Sequence, residues 1–312
     1  MASGEPVRVA VVGAGRMGGN HLRALAASEE ATTAAVVEPV AGIREELAGA
    51  GLPTHATVKE LIAAGGIDAA VVAAPTDLHV ELVSELAEAR LPILCEKPCG
   101  LRPDETADAM RAAANAGVLL QIGYWRRFVP ELVELRERCE AGELGQLALI
   151  SCWQWDAEPP APSFRARTGG IVLDMGVHEF DQIRWLTGQE IGELHAIPAA
   201  ATSVEPVAGD PESVAVVASL SDGAAAIVSL GRSFPHGDCC WLELMGTDGY
   251  ERSLFMWGEE GVRVFDAALV AQVDAFAAAV RGQPQRGATG RDALRAIEVA
   301  DRAAQSLTAG VR

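Results

Sequence analysis

The run VRVAVVGAGRMGGNHLRAL, residues 7–25, limits the fold more than any other part of the chain. Val7 to Val12 are mostly β-branched or small and apolar, as in a strand covered on both faces. Glycines at 13, 15 and 18 follow, and Leu22 and Leu25 then recur at helical spacing. Strand, G-x-G-x-x-G and helix together open a parallel α/β unit that binds a dinucleotide. Gly13 permits the tight turn, Gly15 lets a pyrophosphate reach the backbone, and Gly18 lets helix and strand pack closely. N–H groups at the helix start, around Arg16 and Met17, are then available to phosphate. A plain glycine-rich bend has the same letters, so the next strand carries weight. It runs from Ala34 to Val37 and ends on Glu38, where a carboxylate accepts hydrogen bonds from an adenosine ribose. Pro39, Val40, Ala41 and Gly42 bring no positive charge for a 2′-phosphate, so the pattern favours NAD over NADP.

Composition narrows the class. At 312 residues the chain has room for two domains with separate cores, and 49% hydrophobic content suits an ordinary α/β protein. A net charge of -18 argues against nucleic acid or an anionic membrane surface as partner. The opening Met-Ala-Ser-Gly-Glu has neither the basic start nor the apolar stretch of a secretion signal, and no apolar run is long enough to span a bilayer. A cytoplasmic protein is therefore expected. The six cysteines, at 95, 99, 139, 152, 239 and 240, lack paired C-x-x-C spacing. They read as reduced thiols, adjacent Cys239 and Cys240 as small strand residues, and no metal site is expected.

A helix over residues 40–50 follows Glu38. Ile67 to Ala74 then enter a buried strand that stops at Pro75-Thr76-Asp77-Leu78-His79, where a helix over 80–89 begins. Thr76 or Asp77 suits its N-cap. Such a turn lies at the carboxyl edge of a parallel sheet, so a dinucleotide should pass Ala74, Pro75 and Thr76. His79 reads either as a packing residue at the helix start or as a cofactor contact. Leu91 to Cys95 run next into Glu96-Lys97-Pro98. A lysine is ordinarily a solvated surface group. Here Lys97 closes an apolar strand at the ligand-binding edge, where a restrained ammonium can polarise a substrate oxygen.

Farther on, a helix is expected over 131–141 and a strand over 147–155, with Trp153 and Trp155 on one face. The tryptophans fit packing on a sheet, a subunit contact or a ligand equally well. In the stretch GGIVLDMGVHEFDQIRWL, residues 169–186, Val177, Phe180, Ile183 and Leu186 have helical spacing. Asp174 and His178 are four apart and share a face of such a helix, with Asp181 near the same side. On the residues alone this is either a local polar contact or an acid–imidazole couple. Strands are expected over 194–199, 213–219, 224–230 and 240–245, a solvated loop over Asp210 to Glu212, and amphipathic helices over 267–280 and 292–307.

Taken together, the first glycine turn, Pro-Thr-x-x-His, Glu-Lys-Pro and the segment Gln121 to Phe128 resemble the Gfo/Idh/MocA (glucose–fructose oxidoreductase / inositol 2-dehydrogenase) family. The stretch from Gly169 to Asp181 is similar to the motif of its inositol and sugar dehydrogenases. The resemblance covers nearly the whole chain. It implies a Rossmann domain over 1–121 and a substrate and oligomerisation domain over 122–312 with an open, mainly antiparallel sheet. It further implies C-terminal helices packed back on the Rossmann domain and a cis bond between Lys97 and Pro98. It also implies a catalytic group of Lys97, Asp174 and His178, backed by Asp181. Tyr124, Arg127 and Trp155 become candidate substrate contacts, and Glu96 and Lys97 join the glycine turn, Glu38, the Ala74–Thr76 turn and His79 as cofactor contacts. The implied activity is hydride transfer between NAD and a secondary alcohol of a cyclitol, myo- or scyllo-inositol. Alternatives are a sugar dehydrogenase or a non-catalytic NAD-binding sensor. A homodimer or tetramer joined through the open sheet is the implied assembly. Family members carry more residues before the last two helices than this chain does.

Overall fold

The computed structural model describes residues 4–199, 207 and 209–309. The chain divides into one unit of Met1–Trp125 with Asp266–Leu294, and another of Arg126–Phe265 with Arg295–Arg312.

The first unit alternates strand and helix. Its elements are β1 (Val7–Val12), α1 (Arg16–Ala27), β2 (Ala31–Val37), α2 (Ala41–Gly49), β3 (Thr54–His55) and α3 (Val58–Ala64). Then come β4 (Ala69–Val72), α4 (His79–Glu88), β5 (Ile93–Cys95), α5 (Pro103–Ala116) and β6 (Leu120–Ile122). Six strands run parallel in the order β6-β5-β4-β1-β2-β3, the doubly wound dinucleotide-binding order. Val9, Val11, Ala69 to Val72 and Ile93 to Cys95 are wholly enclosed, because helices cover both faces of the sheet. Local signals set several boundaries. Pro103 opens α5 with Asp104 and Glu105 in its first turn, and Gly117 closes it at φ 67°. Thr57 caps α3 by accepting from Glu60 N at 3.2 Å. Neither Thr76 nor Asp77 holds the N-cap position of α4: residues 76–78 form a 3₁₀ turn that runs straight into it, with Leu78 at the cap. The Lys97–Pro98 bond is cis.

In the second unit, α6 (Pro130–Glu140) and β7 (Leu147–Trp155) precede α7 (Pro162–Arg165), α8 (Ile171–Asp174) and α9 (Gly176–Thr187). Four strands follow: β8 (Ile191–Ala199), β9 (Ser213–Leu220), β10 (Ala225–Gly231) and β11 (Cys239–Gly246). The unit's last strand, β12 (Tyr250–Trp257), is one that the sequence reading leaves unassigned. The sheet order is β12-β11-β7-β10-β9-β8, antiparallel except for the pair β7/β10. Alternation along β9 sends Val214, Val216, Ala218 and Leu220 inward, leaving Val217 on the open face. On that face Trp153 and Trp241 are register partners and stack at 5.1 Å.

The helix expected from 267 begins earlier, as α10 (Gly258–Val280). Next, β13 (Ala288–Thr289) pairs antiparallel with β6, and α11 (Gly290–Ala309) ends the described chain.

Candidate functional site

In the first unit the glycine turn is built as its spacing requires. Gly13 sits at φ +95°, and a Cβ there would lie 2.8 Å from the backbone of Ala73 and Ala74. At Gly18 an added Cβ would come within van der Waals overlap of the Gly13 carbonyl, so only glycine lets α1 pack against the turn. Gly15 is different: nothing lies within 4 Å of where its Cβ would be, and Arg16 beside it is exposed. The first turn of α1 holds no acid, and its leading N–H groups, around Arg16 and Met17, have no side-chain cap. That is an arrangement a pyrophosphate satisfies.

Glu38 ends β2 as expected and is 6% exposed. Its carboxylate accepts from Ala14 N at 3.0 Å and from Val40 N at 2.9 Å, which fastens the glycine turn to β2. An ionised carboxylate retains further acceptor capacity after two such bonds, enough for ribose hydroxyls. The residues present thus fit NAD. One positive charge does come near: Arg44 folds back so that Nη1 donates to the carbonyls of Glu38 and Pro39, both at 2.7 Å. Reading only the four residues after Glu38 misses it.

The other residues assigned to the cofactor line the carboxyl ends of β4 and β5. Ala74, Pro75 and Thr76 form the turn after β4. His79 is buried, with Nε2 2.8 Å from the Ala74 carbonyl and Nδ1 2.8 Å from that of Pro98. Burial holds its pKa below the usual histidine value, against the opposing pull of the two carbonyls, and the ring lies between the two turns. Glu96 turns its carboxylate inward, 2.6 Å from His21 Nε2 and 3.3 Å from Lys97 N. A Cβ at position 123 would strike it, which explains Gly123. Lys97 is half-buried at the end of this strand, and Tyr124 is 2% exposed beyond β6.

In the second unit the expected single helix over the Asp–His motif is broken at Met175. Asp174 ends α8, Gly176 begins α9, and His178 N donates to the Met175 carbonyl at 3.1 Å. A Cβ at Gly176 would press on Phe180 and Leu230 at 3.1–3.3 Å, so the corner sits tight against β10. Asp174 and His178 occupy the two sides of this corner, and His178 is 6% exposed.

Buried ion pairs hold α9. Arg126 Nη1 donates to Glu179 Oε1 at 2.6 Å, while Nη2 reaches Gln154 Oε1 at 2.8 Å and Cys240 Sγ at 3.3 Å. Burial works against the Arg126 charge, but Glu179 together with Cys240 and Cys152 more than offsets it, and the guanidinium's pKa lies above its ordinary value. Arg127 grips Asp181 through Nε at 2.9 Å and Nη2 at 2.5 Å, and lies over the Trp185 ring. Both residues sit within this domain's own bonding. Trp155 donates from Nε1 to Ser229 at 3.1 Å, and its ring rests on the backbone of Gly231.

Asp210, expected in a solvated loop, is 4% exposed and heavily bonded. It accepts from Arg165 Nε at 2.5 Å and from Ile171 N at 2.7 Å. Two buried arginines, Arg165 and Arg232, draw it in from a segment whose composition reads as loop. The signal for Arg232 was a charged residue directly after an apolar strand, the same signal that singled out Lys97.

The thiols are free, and burial pushes Cys239 up to about 11 and Cys240 higher still. Among the described residues no group of three or more His, Cys, Asp or Glu could hold a metal, and no helix is long and apolar enough to cross a membrane.

Two family models match the chain. Residues 7–124 match the oxidoreductase family with an NAD-binding Rossmann fold, and residues 132–251 match the GFO/IDH/MocA C-terminal domain. The chain belongs to the GFO/IDH/MocA oxidoreductase family. It is 49% identical over 96% of its length to the rhizopine catabolism protein MocA of Rhizobium meliloti, covering 95% of that protein. It is 35% identical to the myo-inositol dehydrogenase Hyg17 of Streptomyces leeuwenhoekii, over 96% of this chain and 97% of that one. The crystal structure of a myo-inositol dehydrogenase from Corynebacterium glutamicum superposes with a TM-score of 0.88 at 26% identity, covering 98% of each chain. The first unit is accordingly an NAD-binding Rossmann domain, and the protein is an oxidoreductase of this family.

Proposed function

We propose that the protein oxidises a secondary alcohol of a cyclitol, such as myo- or scyllo-inositol, to the ketone, or runs the reverse reduction. The observation that carries this reading is the family's Lys, Asp and His in one chain. Lys97 stands at the carboxyl end of β5, and Asp174 and His178 flank the α8–α9 corner. Inositol dehydrogenases among the relatives support the substrate class.

The glycine turn and Glu38 would hold NAD, which when bound would supply the hydride acceptor for the alcohol carbon. His178, neutral at the start, takes the hydroxyl proton, and Asp174 orients the imidazole and stabilises its charged form. Lys97 holds the same oxygen as it becomes a carbonyl. Tyr124, Arg127 and Trp155 are proposed to shape the polyol's surroundings, Arg127 by way of its grip on Asp181. Glu38 and the α1 N-terminus favour NAD over NADP, since the carboxylate repels a 2′-phosphate. A second copy of the chain is proposed to cover the open sheet face around Trp153 and Trp241, giving a dimer or tetramer.

The test is NADH formation with inositols, aldoses and rhizopine, the last because of the 49% identical relative. Turnover of a cyclitol supports the proposal. Turnover of an aldose alone moves the protein to the sugar dehydrogenases, and NAD binding without turnover of any polyol makes it a sensor.

A further inference from the structure

The charge that ends β10 has no part in the mechanism above. The chain leaves this strand through Gly231, and the next side chain, Arg232, is fully enclosed. A buried guanidinium is strongly unfavourable unless compensated. Its compensation is shared. Nη2 lies 3.3 Å from Asp174 Oδ2 and 3.4 Å from Asp210 Oδ1, while Nε and Nη1 have no partner among the described residues. Asp210 cannot follow Arg232, because Arg165 and Ile171 N already fix it. It therefore anchors the guanidinium at a set reach from Asp174, the more open of the two carboxylates at 15% exposure.

We propose that Arg232 is a positioning residue for Asp174 and, through it, for His178. It holds the carboxylate at the α8–α9 corner and places beside the couple a positive charge that resists protonation of the imidazole. Asp210 tempers that charge. The other ionisable groups packed around α8 and α9 are paired or neutral. Among the described residues they include Arg126 with Glu179, Arg127 with Asp181, Arg184 with Glu190, Arg165 with Asp210, Arg136 of α6 over Trp185 and ion-paired with Glu140, and the thiols of Cys152 and Cys240. Lys97, which the proposed mechanism brings to the same oxygen, is common to every variant below. The kinetic arm of the test rests on the proposed function; the spectroscopic arm does not.

The experiment follows the ring carbon of His178 by NMR in full-length protein labelled at histidine, with the resonance assigned by its loss in His178→Asn. Arg232→Met removes the cation and is expected to raise the His178 pKa by about half to one unit, the order expected when one unit charge is lost from a partly screened interior. Asp210→Asn removes the opposing anion and is expected to lower it, while Arg232→Lys restores a value near wild type. The acidic limb of kcat/KM for cyclitol oxidation should move in the same directions. Structural damage alone has no reason to give shifts of opposite sign. Unmoved values, or shifts of one sign in both variants, overturn the proposal. Should Arg232→Met fail to fold, the sign for Asp210→Asn decides. Opposed NMR shifts in a protein that oxidises no polyol leave the inference standing and remove the dehydrogenase reading. Turnover with unmoved pKa values does the reverse.

Discussion

The two units hold most of their candidate site residues by different means. In the nucleotide-binding unit, backbone does the holding: Gly13 turns, Gly18 lets α1 close in, Glu38 grips two amides, and His79 spans two carbonyls. In the other unit, side chains hold side chains, with Arg126 on Glu179, Arg127 on Asp181, and Arg232 between Asp174 and Asp210. A backbone cradle is sensitive to added volume. An ion-pair scaffold is sensitive to lost charge, since each removed partner strands another below the surface.

The largest expected effect tests whether the second unit does the chemistry. His178→Ala should lower kcat by about 10²–10⁴ while NAD affinity, measured by titration, stays unchanged. A loss of NAD binding with turnover per bound cofactor preserved would reverse the division of labour. Next is the scaffold itself. Glu179→Gln leaves Arg126 buried without its anion and should cost about 3–5 kcal/mol in denaturant unfolding. A change no larger than that for an exposed pair would end the contrast. Within the first unit, Gly18→Ala should destabilise by about 1–3 kcal/mol through overpacking. Gly15→Ala should leave the melting temperature alone and weaken NAD. Equal effects of the two on stability would mean that the turn is not built around two different glycines. The smallest effect belongs to the surface. Asp68 is held below the usual aspartate pKa, chiefly by its hydrogen bond from Arg8. Asp68→Asn should therefore cost about 0.5 kcal/mol at neutral pH. A carboxylate with a depressed pKa contributes above its unfolded value, so the difference should vanish as pH falls through the folded pKa.

The same contrast explains what could be read from the letters. The first unit was legible because its devices are local: glycine spacing, an acid at a strand end, and a proline after a lysine all act within a few residues. The strand–helix alternation followed, down to the matching limits of β1, and in the second unit β7 also has the limits expected of it. The second unit's supports join residues distant in sequence, Arg126 to Glu179, Arg165 to Asp210 and Arg232 to Asp174. Periodicity cannot register such pairs. Asp210 was therefore read as solvent-facing from its Gly-Asp-Pro surroundings. The break at Met175 escaped for a related reason: Val177, Phe180, Ile183 and Leu186 keep their spacing through α9 alone. Strand β12 was missed because Glu251, Arg252 and Ser253 dilute its apolar alternation, and pairing with β11 supplies what composition lacks.

The late strand β13 has a consequence for biosynthesis. Strand β6 would end the Rossmann sheet with an unpaired edge, but Ala288 pairs with Ile122, Thr289 with Gln121, and Gln285 donates to the Leu120 carbonyl. These partners leave the ribosome more than 160 residues after β6 itself. Through most of translation that margin stands open to any passing chain, so the nascent polypeptide is most prone to aggregate in this interval and least once its final helix has emerged.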